Sequence, residues 1–600
     1  MDMREMRNVM QDLSTEKQSR PRNIEGIAFP IILGALIVSG SYAASTASVP
    51  FKHITFYLEI VLFSFGFYWI FQLGNWLIDR STDDATYVHV GSIEQRAHHI
   101  SLSGVIFYEH SEHFLPCVRD AIRLFICWSP YLVLLYPGVL YWDTGDQLGQ
   151  YFGISVFGQK PGVIWDHHPF FDTYLYGGIV SIGHRVFGSY QAGIFLYSLA
   201  QFCFVDFVLA MWLAYLSSRG VTKKLLTITT MFVAFFPVFP IMMVAMSKDI
   251  THTAIFMLWT LLFIKLVTGR MEKLRSIWFN IVFLGITLLA SLTEKIGVYI
   301  IIVCILTAVF VQCKKRYKPM LVGLGAVSVL ITNFVIPTYL FPVLHVIPGG
   351  PQAALAVPIQ MTARASKYHH ADITEDELKS VNGFLLNSWD ELGQKYVQYI
   401  SDPVTAYNVR NPNEQSGFLK AWLSIGLRHP FTYLDSFIAQ ESGWISFVGS
   451  SGADVPKHPD LTVPLQTKIV TTTVINEDSF GRLMPNQDPN RMERLVANIL
   501  SALMSVPVIN SIFYVATWTA VLPIFFLFLL WKSRKRMSWA NAVECAPYIV
   551  SWLVLCVYPV SLTISQDSTR YMFHLIMLFP MMLALATTFS STTRPRVMSK

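Results

Sequence analysis

Long apolar runs separated by short polar loops form the main pattern of this sequence. A helix needs about 20 apolar residues to cross the hydrocarbon of a bilayer, so the pattern predicts an all-α polytopic membrane protein with about 12 transmembrane helices. The predicted spans cover roughly residues 27–47, 53–79, 122–142, 191–216, 225–245, 251–268, 277–293, 296–312, 320–341, 508–531, 541–563 and 571–590.

The segment at 170–188, FFDTYLYGGIVSIGHRVFG, is less apolar than these runs. Its Asp172, paired glycines, His184 and Arg185 favour a helix that lies at the membrane interface. Counting it as a span would move several clusters of lysine and arginine to the outside. With the segment excluded, every strong basic cluster of a short loop is cytoplasmic, which predicts an N-in and C-in topology.

This topology divides the chain into six regions: a cytoplasmic tail, two spans with a cytoplasmic loop, a membrane core with one large external loop, an external domain, three further spans and a second cytoplasmic tail. In that order the regions are 1–26, 27–121, 122–341 (with the loop at 143–190), 342–507, 508–590 and 591–600. The capping box TEDE at 374–377 and an apolar segment at 418–427 predict that the external domain is mostly helical.

Composition agrees with a membrane protein and narrows the functional classes. Apolar residues make up 53% of the chain and charged residues 14%, against roughly 25% charged residues in a soluble domain. We attribute the net charge of +6 to cytoplasmic loops, so no nucleic acid partner is predicted. The seven cysteines have no paired spacing, which argues against disulfides and structural zinc. The sequence contains neither a P-loop nor a GxGxxG motif, so it gives no indication of a nucleotide-driven pump.

Ionisable residues gather at the predicted external ends of the spans. The stretch YWDTGDQLGQ at 141–150 places Asp143 and Asp146 on one helical face or turn, and DHHP follows at 166–169. SKD at 247–249, TEK at 293–295 and SQDSTR at 565–570 fall on the same side. We therefore predict a polar cavity at the extracytoplasmic membrane surface.

These motifs resemble those of a group of uncharacterised bacterial multispanning proteins. WDTGDQ, DHHP, SKD, PIQMTARASKYHHADITEDEL, SDPV and TRY carry the resemblance, which covers roughly residues 120–590. The group is similar to membrane glycosyltransferases of the C superfamily. That resemblance implies a glycosyltransferase-C-like fold in the plasma membrane. It also implies a polyprenyl-phosphate sugar as donor and a cell-envelope glycan or glycolipid as acceptor, with transfer on the extracytoplasmic face.

The resemblance also implies roles for individual residues. An aspartate of the first large external loop would act as general base on the acceptor, and Asp143 or Asp146 matches it, with Asp143 slightly preferred because it comes first. Cations would bind the donor phosphate. The predicted substrate- and phosphate-binding residues are His167, His168, Lys248, Asp249, Lys295, Gln360, Arg364 and Arg570, and Asp567 is a further cavity candidate.

Each of these residues also has a structural explanation. An aspartate after a span is often a helix cap, and boundary cations often pair locally, as Lys295 could with Glu294. Interfacial aromatic belts explain the tyrosines and tryptophans near the predicted site. A divalent cation, Mg or Mn, is an open alternative that would neutralise the leaving phosphate. Its candidate ligands are Asp143, Asp146, Asp166 and His168.

Two other functional classes stay open. One is a secondary transporter or flippase for a lipid-linked sugar or another anionic solute, for which charges within spans and broken helices are expected. Pro237 and Pro240, which interrupt one predicted span, agree with that class. The other is a non-catalytic envelope or assembly protein, in which the aspartates would point away from any cavity.

Overall fold

The computed structural model describes residues 26–82, 114–140, 142–154, 160–350, 354–405, 408–448, 491–557 and 568–589. These residues are mostly helical. Five helices are long and apolar enough to cross a membrane: Ala28–Thr46, Ile54–Thr82, Tyr190–Ser218, Lys248–Thr268 and Tyr317–Val343. Arg494–Met504 and Pro507–Phe513 form a sixth candidate if this pair, bent by 105°, is one span. The protein is thus a largely helical membrane protein, as predicted, whereas the count of about 12 spans and the N-in, C-in topology stay predictions.

Twelve helices of the N-terminal half are, in chain order, α1 (Ala28–Thr46), α2 (Ile54–Thr82), α3 (Phe114–Leu134), α4 (Trp142–Tyr151), α5 (Phe170–Phe187), α6 (Tyr190–Ser218), α7 (Lys223–Phe235), α8 (Val238–Met243), α9 (Lys248–Thr268), α10 (Ile277–Thr293), α11 (Lys295–Val309) and α12 (Tyr317–Leu330). A π-helix, Ile331–Leu340, and a last turn, Phe341–Val343, continue α12. α9 lies in the core, because its apolar residues cover its whole circumference and almost all are buried.

Several predicted spans are interrupted by identifiable residues. Pro237 separates α7 from α8, since proline cannot continue a helix and its ring restricts the residue before it. Glu294 has an extended backbone, with φ −151°, and makes a corner between α10 and α11. The predicted interfacial segment at 170–188 is the helix α5, which is not among the candidate spans of the described chain.

Residues 354–448 form a helical domain with its own apolar core, which includes Ile359, Phe384, Trp389 and Phe418. Its helices are α13 (Ala356–Tyr368), α14 (Glu375–Phe384), α15 (Trp389–Lys395), α16 (Asp402–Thr405), α17 (Gln415–Arg428) and α18 (Pro430–Ile445). The predicted capping box is present at Thr374 and Glu377, and α17 includes the predicted helix at 418–427. The described part of the predicted domain at 342–507 is thus mostly helical, whereas residues 449–490 lie outside the described residues.

The Tyr399 hydroxyl, shared between two carbonyls, and the Asp435 carboxylate join the helical domain to the chain at the C-terminal end of α1. The Tyr399 hydroxyl lies 3.2 Å from the Ala43 carbonyl and 2.9 Å from the Ala44 carbonyl. The Asp435 carboxylate accepts from the Val49 amide at 2.9 Å. The first predicted span therefore contacts a domain that is distant in the sequence.

We expect the Glu377–Arg428 pair to make the stability of the helical domain depend on pH. Two hydrogen bonds, of 2.8 and 2.7 Å, join the guanidinium to the carboxylate, and they lower the pKa of Glu377 from 4.5 to about 2. Because the pKa is lower in the folded state, this stabilisation is present above about pH 4.5 and disappears as the pH falls toward 2. Glu377→Gln should lower the unfolding free energy by about 1.5–3 kcal/mol at pH 7.

Thermal unfolding of the full-length protein in detergent measures this effect across pH 2–7. Glu375→Gln, at an exposed glutamate of the same helical turn, is the matched control and should keep the wild-type profile. An unchanged pH profile in Glu377→Gln would contradict the prediction.

The C-terminal part contains α19 (Arg491–Met504), α20 (Pro507–Asn510), α21 (Leu522–Ser533), α22 (Trp539–Glu544), α23 (Ala546–Val557), α24 (Ser568–Tyr571) and α25 (Phe573–Thr587). A π-helical turn, Thr517–Val521, precedes α21, and short 3-10 helices lie at Glu272–Arg275, Pro412–Glu414 and Ser511–Phe513. The predicted tails at 1–26 and 591–600 fall, except for residue 26, outside the described residues.

Two pairs of very short parallel strands connect distant parts of the chain. β1 (Val139–Leu140) pairs with β3 (Ala245–Met246), and β2 (Ile164–Asp166) pairs with β4 (Val346–Pro348). β1 comes just before α4 and β3 just before α9, whereas β2 leads into DHHP. The strand pairs therefore position the segments that carry the polar motifs.

Candidate active site

The first turn of α4 lies beside the first turn of α9. The strands before these helices pair in parallel, with Leu140 opposite Met246. The Thr144 hydroxyl strengthens the arrangement, because it donates to the Met246 carbonyl at 2.6 Å. The WDTGDQ and SKD motifs therefore meet although they are distant in the sequence.

One face of α4 anchors this helix. Thr144, Gln147 and Gln150 all form hydrogen bonds to residues outside it. They recur every three residues, so they share a face. Asp143 and Asp146 have the same spacing and lie on the adjacent side, where their carboxylates remain available for other contacts.

Five charged side chains form an ion-pair network, which we call the boundary cluster: Asp143, Lys248, Asp249, Glu294 and Arg570. The Nη1 atom of Arg570 lies 2.8 Å from Oδ2 of Asp143, and its Nε atom lies 3.5 Å from Oδ2 of Asp249. The Nζ atom of Lys248 lies 3.4 Å from Oδ1 of Asp249 and 3.1 Å from Oε2 of Glu294. The structure thus brings together four predicted site residues from α4, α9 and α24.

Tyr571 holds both cations of the boundary cluster. Its hydroxyl accepts a hydrogen bond of 2.8 Å from Arg570 Nη2. The guanidinium lies 4.7 Å from the ring centroid, and the Lys248 ammonium lies 5.5 Å from it. The aromatic face attracts both cations and limits their movement.

Asp143 and Asp146 have opposite electrostatic environments. Burial alone would raise the pKa of Asp143, but Arg570 and other nearby positive groups hold that pKa well below its ordinary range. Burial raises the pKa of Asp146 to about 7, and the charge of Asp143 adds to this shift. Within the described part of the chain, no hydrogen bond or ion pair reaches the Asp146 carboxylate. Asp143 is therefore ionised at physiological pH, whereas Asp146 titrates near neutral pH.

The two histidines of DHHP point to different partners. The Nδ1 atom of His168 lies 3.6 Å from Oδ2 of Asp143, while the His167 ring stacks on Trp165 at a centroid distance of 4.6 Å. Burial lowers the pKa of His167 to about 4 and that of His168 to about 3. Both imidazoles are neutral at physiological pH, so they can hydrogen-bond a substrate but add no positive charge.

Lys295 holds the DHHP loop rather than the boundary cluster. Its ammonium lies 3.0 Å from Oδ2 of Asp166 and also bonds the Asp166 backbone carbonyl. The other oxygen of Asp166 accepts from the Phe170 amide at 3.0 Å and so caps α5. A Cβ atom at Gly349 would lie 2.7 Å from the Asp166 carbonyl, so only glycine fits beside this contact. These contacts favour the structural role of Lys295.

Gln360 and Arg364 lie inside the helical domain. Gln360 donates to the carbonyls of Val397 and Ile400 at 2.6 and 3.4 Å. The Arg364 guanidinium donates to the Tyr396 hydroxyl at 2.9 Å and lies 3.5 Å from the Asp435 carboxylate.

None of these contacts reaches the boundary cluster, so the structure does not bring Gln360 and Arg364 to the predicted site. The SDPV motif is closer. Burial and the charge of Asp143 both raise the pKa of Asp402.

The four predicted metal ligands are not gathered around one point. The Asp143 carboxylate faces Arg570, and the Asp166 carboxylate faces Lys295. Among the described residues, no group of three or more His, Cys, Asp or Glu side chains has the geometry to hold a metal ion. The set Asp143, Asp146, Asp166 and His168 therefore does not fit Mg or Mn in this arrangement.

Sequence reasoning missed Asp172, Glu294 and Asp402 as members of the site. Asp172 is fully buried, and its charge interacts with Lys248, Glu294 and Asp249 of the boundary cluster. Burial raises its pKa well above the ordinary value. The position of Asp172 three residues after DHHP could have indicated that it belongs to the site, but the segment at 170–188 was interpreted only as an interfacial helix. Asp567 lies outside the described residues.

A profile for a family described as a family of unknown function matches residues 156–598, which is most of the chain. The matched region contains Lys248, Asp249, Glu294 and Arg570, and it begins after Asp143 and Asp146. Neither a curated protein nor a solved structure matches the chain.

Proposed function

The chain belongs to the DUF6020 family, whose function is unknown, and we propose a function from the boundary cluster and Asp146. The protein would be a membrane glycosyltransferase that moves a sugar from a polyprenyl-phosphate donor to a glycan or glycolipid acceptor. Transfer would occur on the extracytoplasmic face of the plasma membrane. One observation carries the proposal: Asp146, a carboxyl with a pKa of about 7, lies one helical turn from Asp143, which pairs with Arg570 in the boundary cluster at the start of the candidate span Lys248–Thr268.

In this reaction Asp146 accepts the proton of the acceptor hydroxyl. The acceptor oxygen forms a bond to the anomeric carbon, and the bond between that carbon and the phosphate oxygen breaks. The leaving phosphate keeps the electron pair and gains a negative charge, which Arg570 and Lys248 stabilise. Asp146 replaces Asp143, the residue preferred from the sequence, as the base, because a carboxylate held by Arg570 is a weak proton acceptor.

A specific observation also favours the second candidate function. His252, Lys265 and His574 are buried in the apolar helices α9 and α25. Ionisable groups inside a bundle are typical of transporters, and the π-helix Ile331–Leu340 interrupts a regular helix. A flippase or secondary transporter for a lipid-linked sugar would use the same cations for binding and make no product.

Sugar transfer by the purified full-length protein in nanodiscs separates these functions. The assay supplies a panel of polyprenyl-phosphate sugars and a cell-envelope extract as acceptor. The rate should rise with pH through about 7 and level off above it, because only the deprotonated Asp146 accepts a proton. Donor binding without any covalent product across the panel would contradict the transferase, and donor movement across proteoliposomes would then favour the flippase.

A further inference from the structure

Asp143 is the more exposed of the two carboxylates that contact Arg570. Its side chain is 18% exposed, whereas that of Arg570 is 4% exposed. The guanidinium also contacts the Tyr571 hydroxyl and the Asp249 carboxylate, whose side chain is only 3% exposed. Of the groups that bind Arg570 through a carboxylate, Asp143 is therefore the one that an anion from the solvent can most readily replace.

The position of the Asp143 carboxylate has the features of an anion-binding site. One of its oxygens lies 2.8 Å from an arginine nitrogen and 3.6 Å from the Nδ1 atom of His168. Guanidinium groups bind carboxylate and phosphate oxygens with the same fork of donors. A phosphate group and the Asp143 carboxylate would therefore compete for one place.

Asp143 can leave this place without unfolding its helix. α4 is held by the side chains of Thr144, Gln147 and Gln150, and none of these bonds involves Asp143. A change of side-chain rotamer is enough to move a carboxylate away from its partner. Asp249 remains 3.5 Å from Arg570 Nε when Asp143 leaves, so the anion that replaces Asp143 restores only the shorter contact, at Nη1.

We infer that Asp143 is an internal counter-anion, which occupies the place of the donor phosphate at Arg570 and leaves it when the phosphate binds. The inference rests on the proposed function, since it takes the ligand to be a lipid phosphate. It assigns to the two aspartates of WDTGDQ separate tasks: Asp146 handles the proton, and Asp143 keeps Arg570 neutralised between substrates.

Binding of three probes to the purified full-length protein tests this exchange. The probes are a C55 polyprenyl phosphate, the uncharged polyprenol and inorganic phosphate. Asp143→Asn removes the competing charge and should bind polyprenyl phosphate about tenfold more tightly than the wild type does. Polyprenol binding should not change. Asp376→Asn, at an exposed aspartate of α14, is the matched control and should behave as the wild type.

Each outcome has a defined meaning. Equal or weaker binding of polyprenyl phosphate by Asp143→Asn overturns the exchange. If Arg570→Gln still loses binding, the proposed donor site stands. If wild type does not bind polyprenyl phosphate, or Arg570→Gln binds it normally, the proposed function fails as well. If Asp143→Asn binds only inorganic phosphate more tightly than the wild type does, free phosphate is the ligand and the lipid-phosphate assignment is overturned.

A second measurement uses only the wild-type protein, so it does not depend on the folding of a variant. Carbodiimide and an amine label accessible carboxylates, which mass spectrometry then assigns to residues. Polyprenyl phosphate should increase the labelling of Asp143, because the carboxylate is released into solvent. Decreased or unchanged labelling would overturn the inference.

Discussion

Asp146→Asn should lower the rate of sugar transfer by about 10²–10⁴-fold, the contribution of a general base. Asparagine has nearly the same shape, but its amide cannot accept the proton of the acceptor hydroxyl. The KM for the donor should change little, because Asp146 makes no contact with Lys248 or Arg570. Folding should survive, since the neutral amide resembles the protonated carboxyl that burial favours.

The measurement is the single-turnover rate at pH 8, together with thermal unfolding of each variant. Asp376→Asn, at the exposed aspartate used above, controls for loss of a carboxylate outside the site. Asp146→Glu should recover part of the rate. A rate in Asp146→Asn within a few-fold of wild type would show that another group acts as the base.

Arg570→Gln should destabilise the protein by about 3–5 kcal/mol, the usual effect of removing one member of a buried ion pair. The guanidinium is almost fully buried, and its loss leaves the Asp143 and Asp249 carboxylates without their shared cation. Arg570→Lys should lose less stability, because it keeps the charge but not the planar fork of donors. Donor binding should fall in both variants, more in the glutamine variant.

Thermal and denaturant unfolding in detergent measure this loss. Arg491→Gln, at an exposed arginine that begins α19, is the matched control and should stay within about 0.5 kcal/mol of wild type. A double-mutant cycle of Arg570→Gln with Asp143→Asn isolates the interaction between the two groups. A coupling free energy near zero would contradict the buried pair.

The sequence was informative where apolar runs end. Asp143, Lys248, Asp249 and Arg570 each follow or precede a long apolar segment, and the predicted topology places those ends on one side of the membrane. Their positions at the ends of apolar runs were enough to predict that these residues lie near one another. Which residue pairs with which could not be predicted, because β1 and β3 have only two residues each, too few for a recognisable strand pattern.

Proximity in the sequence did not predict the ion pairs correctly. Glu294 and Lys295 suggested a local pair, yet Glu294 binds Lys248 and Lys295 binds Asp166. Adjacent side chains at a helix start point in different directions, so consecutive charges usually find separate partners. Arg364 was predicted to bind phosphate, but its guanidinium contacts Tyr396 and Asp435 inside the helical domain. The sequence does not distinguish a basic residue that binds within its own domain from one that binds a ligand at a distant site.

The hydrogen bonds between α1 and the helical domain have a consequence for motion. The domain is tethered twice, once through the chain that connects it to the membrane bundle and once through Tyr399 and Asp435. If the helical domain moves as a rigid body, either α1 must move with it in the bilayer or these hydrogen bonds must break. Breaking them costs about 0.5–1.5 kcal/mol each. The first helix and the helical domain are therefore expected to move together.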